Sequence, residues 1–409
     1  MMTVDGRRVE VIYPGRHNTD AGPDFTGARL IIDNQEWSGN VEIHVKASDW
    51  FRHRHDTDPA YDNVILHVVG VNDTHVSDRS GNRIAQAVLT FPESFASLYA
   101  RLSENLESIP CEHRLKELSP IATVNWLETL AVERIQAKSQ RILDTVRLFD
   151  GDWERSCFVT LARALGFSLN SEPLEILARS LPLSIASKHS DDLLQIEALL
   201  FGQAGMLDPS IHIFDEYYQR LCREYAFLAA KYGLKPMRRE IWKFARTRPN
   251  NFPTRRIALL AKSLYGGFSL MSRIIEDKGN NEDFRALFDW ELEGYWADHL
   301  DFGHPAGKLS SGLSPKAASL LDINLRAPLL YAYGAWRGDA ELAERGLDVW
   351  RDSEAESNAI IRRWENAGVK CLSASDSQAL LQLRKEYCDR NRCLQCRFGH
   401  NLLRQSMEG

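Results

Sequence analysis

The spacing of apolar residues changes once along the chain, at Pro92. Before that point, short apolar stretches alternate with polar residues or lie between turn residues, as at 9–15, 29–33, 40–47, 63–71 and 83–91. This spacing is typical of β-strands. Beyond Pro92 apolar residues recur at intervals of three and four, for example at 120–148, 211–232, 255–265, 327–336 and 353–365, which predicts helices. The sequence therefore predicts an α+β fold: a small β-rich N-terminal module followed by a large all-α region.

The length of the chain predicts more than one domain. A chain of 409 residues exceeds what a single hydrophobic core usually fills. We expect a β-rich module at 1–95, a helical domain at 96–240 and a second helical domain at 241–409. Glycine, proline and arginine interrupt the helical spacing at 233–251, where we place the second boundary.

Composition excludes several classes of protein. With 44% apolar and 26% charged residues, and no long unbroken apolar stretch, the chain does not read as a membrane protein. Its first residues lack the pattern of a secretory signal, and its seven cysteines form an odd set, so we expect a cytoplasmic location. The net charge of −6 means that any contact with nucleic acid needs a local basic patch.

A polar hairpin is the densest candidate site. Alternation along 41–46 places Glu42, His44 and Lys46 on one strand face and the apolar residues on the other. Residues 34–36 form a short polar connection to the preceding strand, as in a hairpin. Asp24 is expected near the far end of that hairpin, within reach of the three ionisable side chains.

This layout is similar to that of PD-(D/E)XK metal-dependent nucleases. In such sites two acidic groups hold a divalent ion, Mg²⁺ or Mn²⁺, and a lysine stabilises charge at the scissile phosphate. Here Asp24 and Lys46 match, but His44 stands where a carboxylate is usual. Either Glu42 or His44 takes the metal role, or the site holds no catalytic metal. A histidine favours Mn²⁺ or Zn²⁺ over Mg²⁺. The alternative interpretation is a solvent-facing charged strand.

A second group of candidate ligands follows the hairpin. His53 and His55, with Asp56 or Asp58, have the residue types of a metal site, and His67 lies within an otherwise apolar strand. A lone imidazole in a dry core needs a partner or a ligand. The alternatives are a mobile polar loop for the first pair and a hydrogen-bonded core histidine for His67.

An arginine-rich stretch precedes the helix predicted at 257–265. Arg248, Arg255 and Arg256 lie near a helix start, where exposed N–H groups and guanidinium forks suit phosphate, so they are candidate nucleic-acid ligands. The alternative is structural: the arginines cap carbonyls within a proline-fixed loop.

The last cysteines have metal-ligand spacing. Cys388, Cys393, Cys396 and His400 supply three thiols and one imidazole, a set that can complete a tetrahedral zinc site. The same C-x₄-C-x₂-C spacing with a remote Cys111 is similar to an arrangement that holds an iron–sulfur cluster. A third interpretation is that the cysteines pack the last helix as small apolar residues.

Several sequence blocks together resemble one bacterial family, domain of unknown function family 2851. They are GPDFTGARL, WSGNVEIHVKASDW, HDTDPAYDNVILHVV, RPNNFPTRRIALLA, YWADHLDFGH and RCLQCRFGH. The resemblance implies that these blocks belong to one architecture, and it brings no assigned activity.

Three functions fit these features. The leading hypothesis is a metal-dependent, nuclease-like phosphodiesterase acting on nucleic acid, with Asp24 and Glu42 or His44 as metal ligands and Lys46 as charge stabiliser. The second is a non-catalytic scaffold that binds nucleic acid or protein and has a structural metal. The third is a metal hydrolase built on His44, His53, His55 and His67, acting on a small molecule.

Overall fold

The computed structural model describes residues 1–409 except 19, 105–108, 209, 211–212, 214, 246, 248, 278–280, 308 and 409. It confirms the α+β class: a sheet lies at the N-terminus and helices make up most of the remainder. Contacts divide the chain into two compact units, Met1–Ala100 with Leu403–Gly409, and Arg101–Leu402. A further division of the helical region near residue 240 stays a prediction.

The first unit is built on one mixed sheet. Its strands are β1 (Val9–Tyr13), β2 (Arg16–His17), β3 (Phe25–Ile32), β4 (Gln35–Lys46), β5 (Val64–Val71) and β6 (Ala85–Val88). The order is β1-β3-β4-β5-β6, with β2 also paired to β3. β3 is antiparallel to β1 and β4, whereas β4, β5 and β6 run parallel.

The hairpin between β3 and β4 turns at Asp33 and Asn34. Both have positive φ, 52° and 65°, as a two-residue type I′ turn requires, and asparagine and aspartate tolerate this conformation better than most residues. The pair Ile32 and Gln35 closes the hairpin. The predicted hairpin is thus confirmed, with its turn one residue earlier than expected.

The crossover from β4 to β5 covers one face of the sheet. It contains a short helix, α1 (Asp49–Arg52), and a 3-10 turn at Pro59–Tyr61. Trp50 and Tyr61 from this crossover are buried and pack with Val64, Val76 and Ile84. The opposite face is lined by the main apolar cluster of the unit, whose members include Leu30, Val41 and Leu66.

The helices are α2 (Glu93–Glu104), α3 (Pro120–Leu148), α4 (Trp153–Leu165), α5 (Ser171–Ser180), α6 (Leu183–Ala186), α7 (Leu193–Gln203), α8 (Glu216–Tyr232), α9 (Pro253–Leu264), α10 (Leu270–Glu276), α11 (Asn281–Ala286), α12 (Pro315–Leu321), α13 (Ala327–Arg337), α14 (Ala340–Asp352), α15 (Ala359–Asn366), α16 (Ala374–Gln382) and α17 (Arg397–Glu408). Two small strands, β7 (His299–Asp301) and β8 (His304–Pro305), pair with each other. Helices lie at each of the five segments predicted from apolar spacing. Among the described residues, no helix combines the length and apolar character needed to cross a membrane.

Local sequence explains where several of these helices begin and end. The Asp215 carboxylate accepts the Tyr218 N–H at the start of α8, and Gly233, with φ of 65°, ends it. Pro120 and Pro253 occupy the first turns of α3 and α9, where a missing N–H costs nothing. The apolar faces of these helices pack into one large core that includes Phe158, Phe201 and Trp350, among many other buried residues.

Glu197 predicts a pH dependence of stability. It is buried on α7, its carboxylate accepts a hydrogen bond from the Tyr217 hydroxyl, and burial raises its pKa to about 7. The folded chain therefore binds this proton more tightly than the unfolded chain does. The free energy of unfolding should fall as pH rises from the ordinary carboxyl range to about 7, by roughly 3 kcal/mol at most. Denaturant unfolding at pH 5 and pH 8 measures this change.

The Glu197→Gln variant should lose this part of the pH dependence. Glu128→Gln is the matched control, because Glu128 is exposed on α3. Equal pH dependence in wild-type protein and Glu197→Gln would contradict the assignment.

Candidate metal centre

Three elements place histidines on the covered face of the sheet. β4 contributes His44, β5 contributes His67, and the crossover between them contributes His53 and His55. The parallel register pairs Glu42 with His67, so both point to the same side of the sheet as His44. The end of α1 then places His53 and His55 over that side, since the His53 and His55 N–H groups donate to the Asp49 and Trp50 carbonyls.

The imidazoles converge with one carboxylate. Ligand atoms of His44, His53 and His55 all lie within 4.8 Å of one another. His44 Nε2 is 3.1 Å from His53 Nδ1 and 3.4 Å from Glu42 Oε1, and His55 Nε2 is also 3.4 Å from Glu42 Oε1. Ligands about 2.0–2.1 Å from a tetrahedral ion are separated by roughly 3.4 Å. The three measured distances are close to that value, so the atoms are spaced as ligands of one ion.

His67 lies behind this group rather than in it. Its Nε2 is hydrogen-bonded to His44 Nδ1 at 2.9 Å, and its side chain is fully buried. If His44 Nε2 binds a cation, Nδ1 carries the ring proton and donates it to His67 Nε2. Such a contact fixes the orientation of a metal-binding imidazole. Of the predicted metal ligands, His67 is therefore placed as a support for His44.

Burial shifts the pKa values of these groups toward their neutral forms. It lowers the pKa of His55 and of His67 to about 4, and neighbouring histidines lower both further. The pKa of His44 is also lowered, first by burial and then by His53. Neutral imidazole is the form that binds metals, so these rings are ready to coordinate at neutral pH.

Glu42 is the acidic member of the group. Burial raises its pKa to about 7, although the N–H of Asp24, which donates to Glu42 Oε2 at 3.0 Å, acts in the opposite direction. The nearby Asp24 carboxylate raises it as well. The site thus holds several ionisable groups and no buried cation among its described neighbours, and a bound divalent ion would stabilise the charged form of Glu42.

Aromatic side chains line the buried side of the centre. The rings of His55 and Tyr61 are stacked with centroids 3.7 Å apart, and Trp50 lies edge-on to His55 at 5.4 Å. His53 is the exposed member, so solvent reaches the group from its side. The candidate list from sequence omitted Trp50 and Tyr61. Their position beside the His53-x-His55 stretch is the only signal that points to them.

Beyond the buried Val41, the burial of β4 from Glu42 to Val45 is the reverse of what its alternation suggests for an ordinary strand. Glu42 is 5% exposed, whereas Ile43 and Val45 on the apolar face are 42% and 74% exposed. The predicted alternation itself is found, since Glu42 and His44 share a face. The polar face is buried because the crossover with Trp50 and Tyr61 folds over it, which alternation along one strand cannot reveal.

The other two residues of the polar hairpin have different positions. Asp24 lies beside Glu42, as expected from the hairpin, and its Oδ2 accepts the Ile43 N–H at 2.9 Å. Lys46 is exposed at the end of β4, and its backbone N–H donates to Asp49 Oδ2. The structure therefore joins Asp24 to the edge of the centre and leaves Lys46 in solvent, two residues beyond His44.

The structure corrects the prediction that Arg255 and Arg256 contact nucleic acid. Arg255 and Arg256 are 2% and 4% exposed. The Arg255 guanidinium donates to the Trp296 and Ser310 carbonyls, and Arg256 donates to Asn251 Oδ1. Both are thus committed to the interior, as in the structural alternative, because α9 buries its first turn. The third residue of that set, Arg248, lies outside the described residues.

The fold brings Cys111, the remote cysteine of the iron–sulfur interpretation, close to the C-terminal cysteines. Cys393 and Cys396 are buried and Cys388 is half-buried, and the Cys111 thiol is close enough for its charge to act on theirs. His400, the predicted fourth ligand, is exposed on α17. The geometry therefore favours Cys111 over His400 as the neighbour of the other three thiols.

Comparison with known proteins yields one family. A family model described as "Protein of unknown function (DUF2851)" matches residues 1–359, a range that contains the whole histidine centre. No curated protein matches the chain, and no solved structure does. Five of the six sequence blocks lie within the matched range, and RCLQCRFGH lies beyond it. Because the match covers most of the 409 residues, the chain belongs to the DUF2851 family, as the resemblance predicted.

Proposed function

We propose that the β-rich unit is a metal-dependent hydrolase centre in which His44, His53 and His55 hold one divalent cation. The observation that carries this proposal is the convergence of the three imidazoles and the Glu42 carboxylate at ligand spacing. Imidazole ligands favour Zn²⁺ or Mn²⁺ over Mg²⁺. A cation bound there supplies a Lewis acid that polarises the substrate and makes water a better nucleophile at neutral pH.

Glu42 is the candidate general base. Its Oε2 is held by the Asp24 N–H, which leaves Oε1 facing the imidazoles. From this position Glu42 is suited to accept a proton from a water molecule on that side of the centre. A carboxylate whose pKa is raised by burial is a stronger base than an exposed one, and general bases work best near the operating pH.

Phosphodiesters, as in nucleic acid, are the substrate class that we propose for this centre. Lys46, Arg52 and Arg54 are exposed on the segment that also carries His44 and His53, and guanidinium and ammonium groups bind phosphate oxygens. Asp24 beside Glu42 adds the second carboxylate that the nuclease-like layout requires. The support is local, because acidic residues outnumber basic ones in the first hundred residues.

Metal binding is the first test of the centre. Titration of the full chain with Zn²⁺ and Mn²⁺, followed by calorimetry and elemental analysis, should show one ion held by this site. His53→Ala should weaken binding by more than about a hundredfold, because it removes a ligand. His67→Gln should weaken it by about ten- to a hundredfold, since it removes only the support of His44.

His75→Ala is the matched control, because His75 is an exposed histidine of the same unit that contacts Arg83 outside the centre. Unchanged affinity in His53→Ala and His55→Ala would rule out the proposed site. Metal ions can also bind the cysteines. The titrations are therefore repeated with variants that also carry Cys393→Ser, so that binding by the histidines is measured separately.

Catalysis is tested by separating metal binding from turnover. Glu42→Gln should lower kcat by about a hundredfold or more, while the ion remains bound, because the three imidazoles and not Glu42 are the proposed ligands. Glu36→Gln, an exposed glutamate on the same strand, should have wild-type activity. Turnover is measured with single- and double-stranded DNA and RNA, with bis-p-nitrophenyl phosphate and with p-nitrophenyl acetate.

The substrate panel separates the three hypotheses. Cleavage of nucleic acid that is lost in both Glu42→Gln and Asp24→Asn supports the phosphodiesterase. Activity restricted to the small esters supports a small-molecule hydrolase. If the metal is retained and no substrate is turned over, both enzymatic hypotheses are wrong. The remaining hypothesis is a binding scaffold with a structural ion.

A further inference from the structure

We propose that the helical unit contains a binding site for a small ligand carrying phosphate, in the cavity between α3, α4, α5 and α16. The cavity has a volume of about 560 Å³, within the range of sites that hold small molecules. It belongs to the second unit and is independent of the hydrolase centre.

Positive charge dominates the lining. Arg134, Lys138 and Arg141 lie on one face of α3, at spacings of four and three residues, and α4 adds Arg163. Two carboxylates, Glu175 and Glu356, also line the cavity. The four cations therefore exceed the acids by two charges.

Most of this charge has no acidic partner. Arg163 is paired with Glu175, which also pairs with Arg179. Glu356 is engaged by the Gln378 side-chain amide. In the described part of the chain, no carboxylate forms an ion pair with Arg134, Lys138 or Arg141. Arg141 is exposed and Arg134 and Lys138 are half-buried, so these cations are open to an anionic ligand that enters the cavity from solvent.

Lys138 lies at the centre of this arrangement. Its Nζ donates to Asn324 Oδ1 at 2.7 Å and lies 5.5 Å from the centre of the Trp350 ring. Burial and the charges of Arg134, Arg141 and Arg163 lower its pKa to about 7, although Glu356 acts in the opposite direction. A bound anion would reverse this effect and keep the lysine charged.

The chemistry favours phosphate over a single carboxylate. Guanidinium groups bind phosphate oxygens in forks, and an excess of two positive charges matches a doubly charged group. Hydroxyl and amide side chains that include Thr160, Ser171 and Asn324 also line the cavity and suit the polar remainder of such a ligand. A phosphorylated metabolite or a nucleotide meets these requirements, and a duplex does not fit the volume.

Calorimetry with the full chain tests this site. Inorganic phosphate, pyrophosphate and ATP are the probes, and sodium chloride at matched ionic strength corrects for general screening. Wild-type protein should bind at least one of the phosphates, and Lys138→Met should weaken that binding by tenfold or more. Tighter binding of ATP than of pyrophosphate identifies a nucleotide site, and the reverse order identifies a site for the phosphate group alone.

Arg147→Met is the matched control, because Arg147 is exposed on the same helix and paired with Asp144. It should bind phosphate as the wild type does.

Thermal unfolding without ligand checks that Lys138→Met is folded. Lys138 is half-buried and forms no ion pair with the described residues, so its replacement should leave the unfolding temperature nearly unchanged, while the stabilisation by ligand should vanish. If Lys138→Met does not fold, the same binding measurement on Arg141→Met tests the proposal instead, because Arg141 lines the same cavity. Absence of binding to all three probes, or equal loss in Arg147→Met, overturns the proposal.

The cysteines carry a second, independent inference. We infer that Cys111, Cys388, Cys393 and Cys396 hold an iron–sulfur cluster. Cys111 precedes the 3-10 turn Glu112–Glu117, far from the others in sequence, and the fold brings it beside the 388–396 segment. Four cysteine thiolates are the usual ligand set of such clusters.

The described thiols do not have the spacing of ligands around a single ion. Sulfurs around one zinc ion are roughly 3.8 Å apart, since each lies about 2.3 Å from the metal. Among the described residues, no three thiol sulfurs lie within 4.8 Å of one another. A cluster of several irons holds its cysteines further apart than one ion does.

The surroundings of the thiols also indicate a ligand. The buried Trp126 indole N–H is beside the Cys396 sulfur without completing a normal hydrogen bond. Thiolate sulfur bound to iron is a better acceptor for such an N–H than a neutral thiol is. A Cβ at Gly399 would lie 2.3 Å from the Cys393 carbonyl oxygen, so this close approach of α17 to the cysteine segment requires glycine.

Anaerobic reconstitution with ferrous iron and sulfide tests the cluster. Wild-type protein should gain the broad visible absorption of an iron–sulfur chromophore and about four irons per chain. Cys111→Ser and Cys393→Ser should lose most of both signals, and His400→Ala and Cys222→Ser should retain them. Circular dichroism confirms that each variant is helical. Loss of metal in His400→Ala with full retention in Cys111→Ser, or binding of zinc alone, overturns the cluster.

Discussion

The histidine centre depends on the parallel pairing of β4 with β5. Because side chains alternate along a strand, the register that places Glu42 beside His67 also decides which face carries His44. Parallel strands need a crossover, and this crossover brings His53 and His55. A shift of one residue in either strand would move the imidazoles to opposite faces. One register choice thus assembles side chains from three separate segments.

Both units keep ionisable groups where solvent is scarce. In the first unit Glu42 has its pKa raised by burial, and in the second unit burial lowers that of Lys138. The two shifts have opposite directions but the same physical cause, the loss of hydration by the charged form. Arg255 at the start of α9 shows the ordinary solution to this problem, since backbone carbonyls accept its N–H groups. Among the described residues, Glu42 and Lys138 have no comparable set of hydrogen-bond partners that stabilises the charged form. We therefore propose ligands beside these two residues and none beside Arg255.

The local sequence predicted the positions of strands and turns better than it predicted which side chains are buried. Alternation located β4, and the polar residues 34–36 located its hairpin to within one residue, because those signals act between neighbours in the chain. The burial of Glu42 depends on Trp50 and Tyr61, and that of Arg255 depends on carbonyls more than forty residues away. The sequence named Cys111 as one alternative fourth cysteine, but only the fold brings it near the others, which lie close to the other end of the chain. The spacing of Arg134, Lys138 and Arg141 is enough to place them on one face of a helix. A solvent-exposed helix has the same spacing, however. The cavity beside this face arises from tertiary packing, which the local sequence does not predict.

The unequal exposure of the three histidines that we propose as metal ligands has a kinetic consequence. His55 is stacked on Tyr61 and His44 is hydrogen-bonded to the buried His67, whereas His53 faces solvent at the end of a four-residue helix. A short helix within a crossover opens more readily than a paired strand. An ion in this centre would therefore enter and leave by exchange at His53, with the other two ligands still in place. Residence time, and not only affinity, would then be set by the mobility of the α1 segment, so mutations there would alter how fast the ion exchanges with the medium.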